Sequence, residues 1–158
     1  MRRAATILAV AAAMTLAACG SSETESTPVV CLEGADPYLQ ALEADPTGAT
    51  LEGGVAIGDC LTDDQTTADI SSVGSALIET ATRLEGEADR DAGGEATVAL
   101  GYLVGSVDEA SSGTSGIHTD LVRRIDSTVR ASGRGGAAEE FQAAYDEGYE
   151  AAQAQAGG

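Results

Sequence analysis

The sequence predicts an all-α fold: an antiparallel four-helix bundle preceded by a small irregular cap. Three observations carry this. Beyond Cys60, apolar residues recur at three- and four-residue steps in four separate stretches. Glycine-rich breaks at 93–94, 111–116 and 133–136 divide those stretches. Short connections between amphipathic helices make consecutive helices antiparallel neighbours.

Each element has its own signal. Asp36-Pro37 fits an N-cap followed by proline at the first helical position, and Tyr38, Leu39 and Leu42 give one short helix an apolar side. Gly53-Gly54, between Thr50-Leu51 and Val55-Ala56-Ile57, is placed to turn a minimal hairpin. Thr62-Asp63-Asp64-Gln65 is a capping box that opens the first long helix. That helix runs to about Asp89, with Ile70, Val73, Leu77, Ala81, Leu84 and Ala88 as its buried stripe. Ala96, Leu100, Leu103, Val104 and Val107 mark the second. Ser115 is placed to cap the third, whose stripe is Ile117, Leu121, Ile125 and Val129. Phe141, Tyr145, Tyr149 and Ala152 line the last.

The N-terminus carries a different pattern. Met1-Arg2-Arg3 is followed by an uncharged, alanine-rich run over 4–18, the layout of an export signal. At 15 residues it is too short for an ordinary membrane-spanning helix, which needs about 20. The run ends Leu16-Ala17-Ala18-Cys19-Gly20. This resembles the lipobox of bacterial lipoproteins, a leucine and two small residues before a cysteine. The resemblance implies that residues 1–18 are removed and that Cys19 carries a diacylglyceryl group. Two acyl chains, at about 0.8 kcal/mol per buried methylene, make a stable anchor where one does not. Residues 19–30, polar and poor in apolar groups as far as Pro28, then read as a lipidated cysteine with a disordered tether.

With Cys19 assigned to lipid, Cys31 and Cys60 are the remaining thiols of an exported chain. A disulfide closing the cap over 31–60 is the natural reading, with two free thiols or a metal pair as the alternative. No histidine or cysteine cluster is present to complete a zinc site. The bundle then occupies 61–158 and forms one domain with the cap.

Composition narrows the function. Removing 1–18 takes away Arg2 and Arg3 and no acid, which leaves a formal charge of −20. Such a surface repels nucleic acid and anionic lipid faces. The absence of lysine excludes a Walker A loop, a Ser-x-x-Lys acylation site and Schiff-base chemistry. No Gly-x-Ser-x-Gly elbow or His-Glu-x-x-His is present. His118, the single histidine, has Asp120 and serines nearby, but nothing in the spacing places them as a catalytic set. The acidic stretch over 85–91 fails the calcium-loop rule in both registers: one puts Arg90 where the turn needs glycine, the other puts Leu100 where the last carboxylate belongs. It reads as a solvated helix end. No catalytic residue, metal or cofactor is expected.

Three features remain as candidate contact sites. Gly101-x-x-x-Gly105 lets another backbone approach closely, a packing role outside a membrane. Tyr102, Phe141, Tyr145 and Tyr149 are candidates to line an apolar pocket between helices. Arg123, Arg124, Arg130 and Arg134 cluster in an otherwise acidic chain, with Asp120 and Asp126 four residues before Arg124 and Arg130. Arg123 and Arg124 are the candidate partner-binding pair, offering forked guanidinium groups to a carboxylate or phosphate of an envelope partner.

The segments Gly101-Tyr102-Leu103-Val104-Gly105 and Gly116-Ile117-His118-Thr119-Asp120-Leu121-Val122-Arg123-Arg124 resemble small actinobacterial lipoproteins. The resemblance implies no activity and assigns no functional residue. The expectation is a non-enzymatic, lipid-anchored interaction or structural module on the extracytoplasmic side of the cell membrane. The alternative is a carrier of a small apolar ligand held between the helices.

Overall fold

The computed structural model describes residues 26–114, 116–129 and 137–156. The export signal, Cys19, the first residues of the tether, Ser115, Arg130 and Arg134 lie outside the described residues. The described chain is mostly helical, with five α-helices and one two-stranded hairpin.

The cap begins with a 3-10 turn at Val29–Leu32 that buries Cys31. Cys31 is bonded to Cys60 with a Cα–Cα separation of 5.6 Å. The first helix, α1, is Ala35–Ala44 and buries Ala35, Tyr38 and Leu42. It starts earlier than the Asp36-Pro37 signal predicts. Gly34, at φ 90°, turns the chain out of the disulfide-held segment and occupies the N-cap position itself. Asp36 and Pro37 therefore fall within the first turn, where a missing N–H costs nothing. Tyr38 Oη donates to the Cys31 carbonyl at 3.0 Å, tying the helix to the disulfide.

Strand β1 (Thr50–Leu51) pairs antiparallel with β2 (Val55–Ala56), with Thr50 opposite Ala56 and Leu51 opposite Val55. Gly53 and Gly54, at φ 81° and 78°, supply the left-handed backbone of the turn. Ile57 does not extend the strand. It starts a 3-10 turn, Ile57–Cys60, where Asp59 Oδ2 accepts from the Ala56 N–H at 3.0 Å.

Helix α2 is Thr67–Ala88, not a helix opening at Thr62. Its N-cap is Thr66, whose Oγ1 accepts from the Asp69 N–H at 3.2 Å. Gln65 closes no box with Thr62; its amide is turned toward the cap instead. Its Nε2 donates to the Cys60 carbonyl at 2.9 Å and to Thr27 Oγ1 at 3.0 Å. That clasp also shows the packed cap reaching back to the buried Thr27, into the stretch expected as tether.

The other long helices are α3 (Glu95–Ser112), α4 (Thr119–Val129) and α5 (Ala138–Ala156). Helix α2 buries Val73, Leu77, Ala81, Leu84 and Ala88 as expected, while Ile70, in its first turn, is only half-buried. Helix α4 buries Leu121, Ile125 and Val129, but Ile117 precedes it in an exposed turn. Helix α3 is buried over most of its circumference, because α5 packs on one side and α2 and α4 on others. Helix α2 also carries α1 and the first 3-10 turn.

The α3–α5 contact is the tightest. A Cβ built on Gly101 would stand 2.0 Å from the Tyr145 carbonyl oxygen, and one on Gly148 would stand 1.9 Å from that of Val98. On Gly105 it would lie 2.9 Å from both the Ala152 Cβ and the Tyr149 carbonyl oxygen. The two backbones therefore touch through Gly101 and Gly105 on α3 and through Ala144, Gly148 and Ala152 on α5. Gly101 meets Tyr145 and Gly105 meets Tyr149 and Ala152, so the two helices run in the same direction.

Candidate functional site

A broad, open groove of about 1220 Å³ lies between the cap hairpin, the chain over 57–64, and the C-terminal ends of α3 and α5. Its floor is apolar, built from the buried side chains of Ile57, Leu61 and Ala152 with Val55 and Ala110 beside them. Its edge carries four exposed carboxylates, Asp59, Asp63, Asp64 and Glu109, and no arginine lines it.

Two phenols fix the α3–α5 side of this groove. Tyr102 Oη donates to Gln155 Oε1 at 2.5 Å, and both residues line the groove. Tyr149 Oη donates back from α5 to Asp108 Oδ2 at 2.6 Å. That bond, reinforced by partial burial, raises the Tyr149 pKa to about 12. Burial raises Tyr102 and Tyr145 as well.

Of the four aromatic residues expected to share a pocket, only Tyr102 reaches the groove. Phe141, Tyr145 and Tyr149 form a row along α5, with ring centroids 6.0 and 6.2 Å apart. Phe141 is buried, whereas Tyr145 and Tyr149 are half-buried beside the seam. Large rings cannot sit in a seam where backbones touch, so the small residues take the centre and the tyrosines flank it.

His118 is buried, at 1% exposure, in the turn that leads into α4. Neither ring nitrogen meets a hydrogen-bond partner. Burial lowers its pKa below the ordinary value, opposed by the main chain of Thr62 and the Asp63 carboxylate. Asp120 does not orient the ring. Its carboxylate pairs with Arg123 and with Arg124 Nε, the latter at 2.7 Å. One carboxylate thus faces two guanidinium groups, and both arginines remain largely exposed.

Among the described residues no group of three or more His, Cys, Asp or Glu is placed to hold a metal ion. Among them too, no helix is long and apolar enough to cross a membrane. The groove carboxylates were not singled out by sequence. They belong to the 3-10 turn Ile57–Cys60, the cap-to-α2 connection and α3, so no local motif unites them.

No family model, curated protein or solved structure matches this chain.

Proposed function

We propose that this protein is a lipid-anchored, non-enzymatic interaction or structural module of the cell envelope, facing the extracytoplasmic side of the membrane. The observation that carries the reading is the allocation of its cysteines. Cys31 and Cys60 are bonded to each other, which leaves Cys19, in its Leu-Ala-Ala-Cys setting, as the thiol available for lipid. A structural disulfide also suits an exported chain. Helices α2 to α5 are read as the members of a helical bundle in which α3 and α5 share a direction and α5 packs on α3 rather than on α4, so consecutive helices are not all neighbours.

In this reading the domain stands on its tether just off the membrane and presents its surface to envelope partners. Arg123 and Arg124, sharing the one carboxylate of Asp120, are a second contact point, for an anionic group of such a partner. Substituting Cys19→Ser tests the anchor. The variant is expected to leave the membrane fraction or to accumulate as uncleaved precursor. Detergent partitioning and an intact mass identical to those of the lipidated wild type refute the anchor.

A further inference from the structure

The charge of the groove restricts what can occupy it. Asp63, Asp64 and Glu109 form no ion pair or hydrogen bond through their carboxylates among the described residues. Among the described residues the arginines that could neutralise them are engaged elsewhere. Arg83 pairs with Asp36 and Glu79, Arg90 Nε donates to the Gly86 carbonyl, and Arg123 and Arg124 share Asp120. The groove therefore keeps an uncompensated negative edge above an apolar floor.

Shape narrows the choice further. At about 1220 Å³ and open to solvent, the groove suits a segment of another chain better than an enclosed small molecule. A second copy of this chain is disfavoured, because each carries a formal charge of −18. An anionic lipid headgroup is repelled for the same reason.

We infer that the groove docks a basic amphipathic segment of another protein, its apolar side on the half-buried Val55, Ala56 and Ala110 and its cationic groups on Asp59, Asp63, Asp64 and Glu109. The inference rests on the interaction-module reading and names the chemistry of the partner. Desolvation of the apolar floor supplies affinity. The carboxylates steer the approach and reject acidic segments.

The test uses the full chain carrying Cys19→Ser, which cannot take up lipid, and fluorescence anisotropy. The probe is a fluorescein-labelled amphipathic helix of leucine and lysine. Its glutamate counterpart and a version with serine for leucine are comparison peptides. The leucine–lysine peptide is expected to bind and the comparison peptides are not. In a groove variant, Asp63→Asn, Asp64→Asn and Glu109→Gln together weaken binding about tenfold or more. A distal variant, Glu85→Gln with Glu87→Gln and Asp89→Asn at the far end of α2, removes the same charge and leaves binding within about twofold, as expected when three charges act only through a screened long-range field. Circular dichroism establishes that both variants are folded. Equal weakening in the two variants, or no binding by the wild type, overturns the inference. Site-specific crosslinking in the native envelope separates this failure from failure of the wider reading. A partner captured from Arg123 but not from the groove sinks the groove proposal and leaves the module standing.

Discussion

Replacing Gly148 by alanine tests the tightest contact in the molecule. The new Cβ would stand 1.9 Å from the Val98 carbonyl oxygen and 2.7 Å from the Tyr102 nitrogen. Both are backbone atoms of a buried helix and cannot swing aside. Restoring an ordinary separation of about 3.5 Å requires α5 to retreat by about 1.6 Å. A gap of about 1 Å already forfeits up to half of a dispersion contact, and the loss extends along the seam to Ala144 and Ala152. The same retreat stretches the Tyr149–Asp108 and Tyr102–Gln155 bonds, now 2.6 and 2.5 Å, beyond hydrogen-bonding reach. Overpacking of this kind costs about 3 kcal/mol. The helix propensity gained on replacing glycine by alanine returns about 1 kcal/mol. The net loss of about 2 kcal/mol lowers Tm by roughly 6–10 °C for a domain of this size. Gly86 is the control. It too lies within a long helix, but nothing stands within 4 Å of a Cβ built there. Gly86→Ala is expected to raise stability by about 0.5–1 kcal/mol. The assay is thermal melting followed by circular dichroism. A Gly148→Ala variant that melts at or above the wild type would refute the close crossing of α3 and α5.

Two further outcomes follow from buried features. Reducing the Cys31–Cys60 bond, whose partners are 29 residues apart, is expected to cost about 3.6 kcal/mol on the chain-entropy model. Far-UV circular dichroism should retain most of its helical signal, because α2 to α5 lie beyond Cys60; collapse of that signal on reduction would contradict this. His118 predicts a pH dependence. Burial holds its folded-state pKa below about 6.5, so the unfolded chain binds the proton more readily. Its contribution is complete above that pH and declines as pH falls from there through the lowered folded-state value. Urea melts of the wild type and His118→Leu should show a stability difference that shifts against the wild type below about pH 6.5. A difference independent of pH between 5 and 8 rules it out.

Helices α2 to α4 were legible because their stripes are built largely from Val, Leu and Ile, which periodicity detects. The hairpin was legible because Gly53 and Gly54 supply its turn. The starts of α1 and α2 were not. Both are displaced by contacts made to the disulfide-held cap, through Gly34 and Gln65, and a local capping pattern carries no trace of them. The buried face of α5 was legible at Phe141 and Ala152 but not at its centre, for another reason. Phe141, Tyr145 and Tyr149 stand out by size, but the seam selects residues by smallness, and Ala144 and Gly148 look like filler in a hydrophobic pattern. The groove was invisible because its walls come from the hairpin, the cap-to-α2 connection, α3 and α5, brought together only by the fold.

The position of the disulfide governs how the domain transmits a mechanical load. A pull applied from the N-terminal side enters the described chain at Ser26 and reaches Cys31 within a few residues. The bond to Cys60 then carries the tension covalently to the start of α2. Helix α1 and the hairpin lie on the slack side of this shunt and bear none of the force while the bond is intact. The non-covalent clasp of Gln65 on Thr27 runs alongside it. Under tension the first cooperative unit to yield is therefore the packing of α2 against its neighbours. Reduction of the single bond relocates the weak point to the cap.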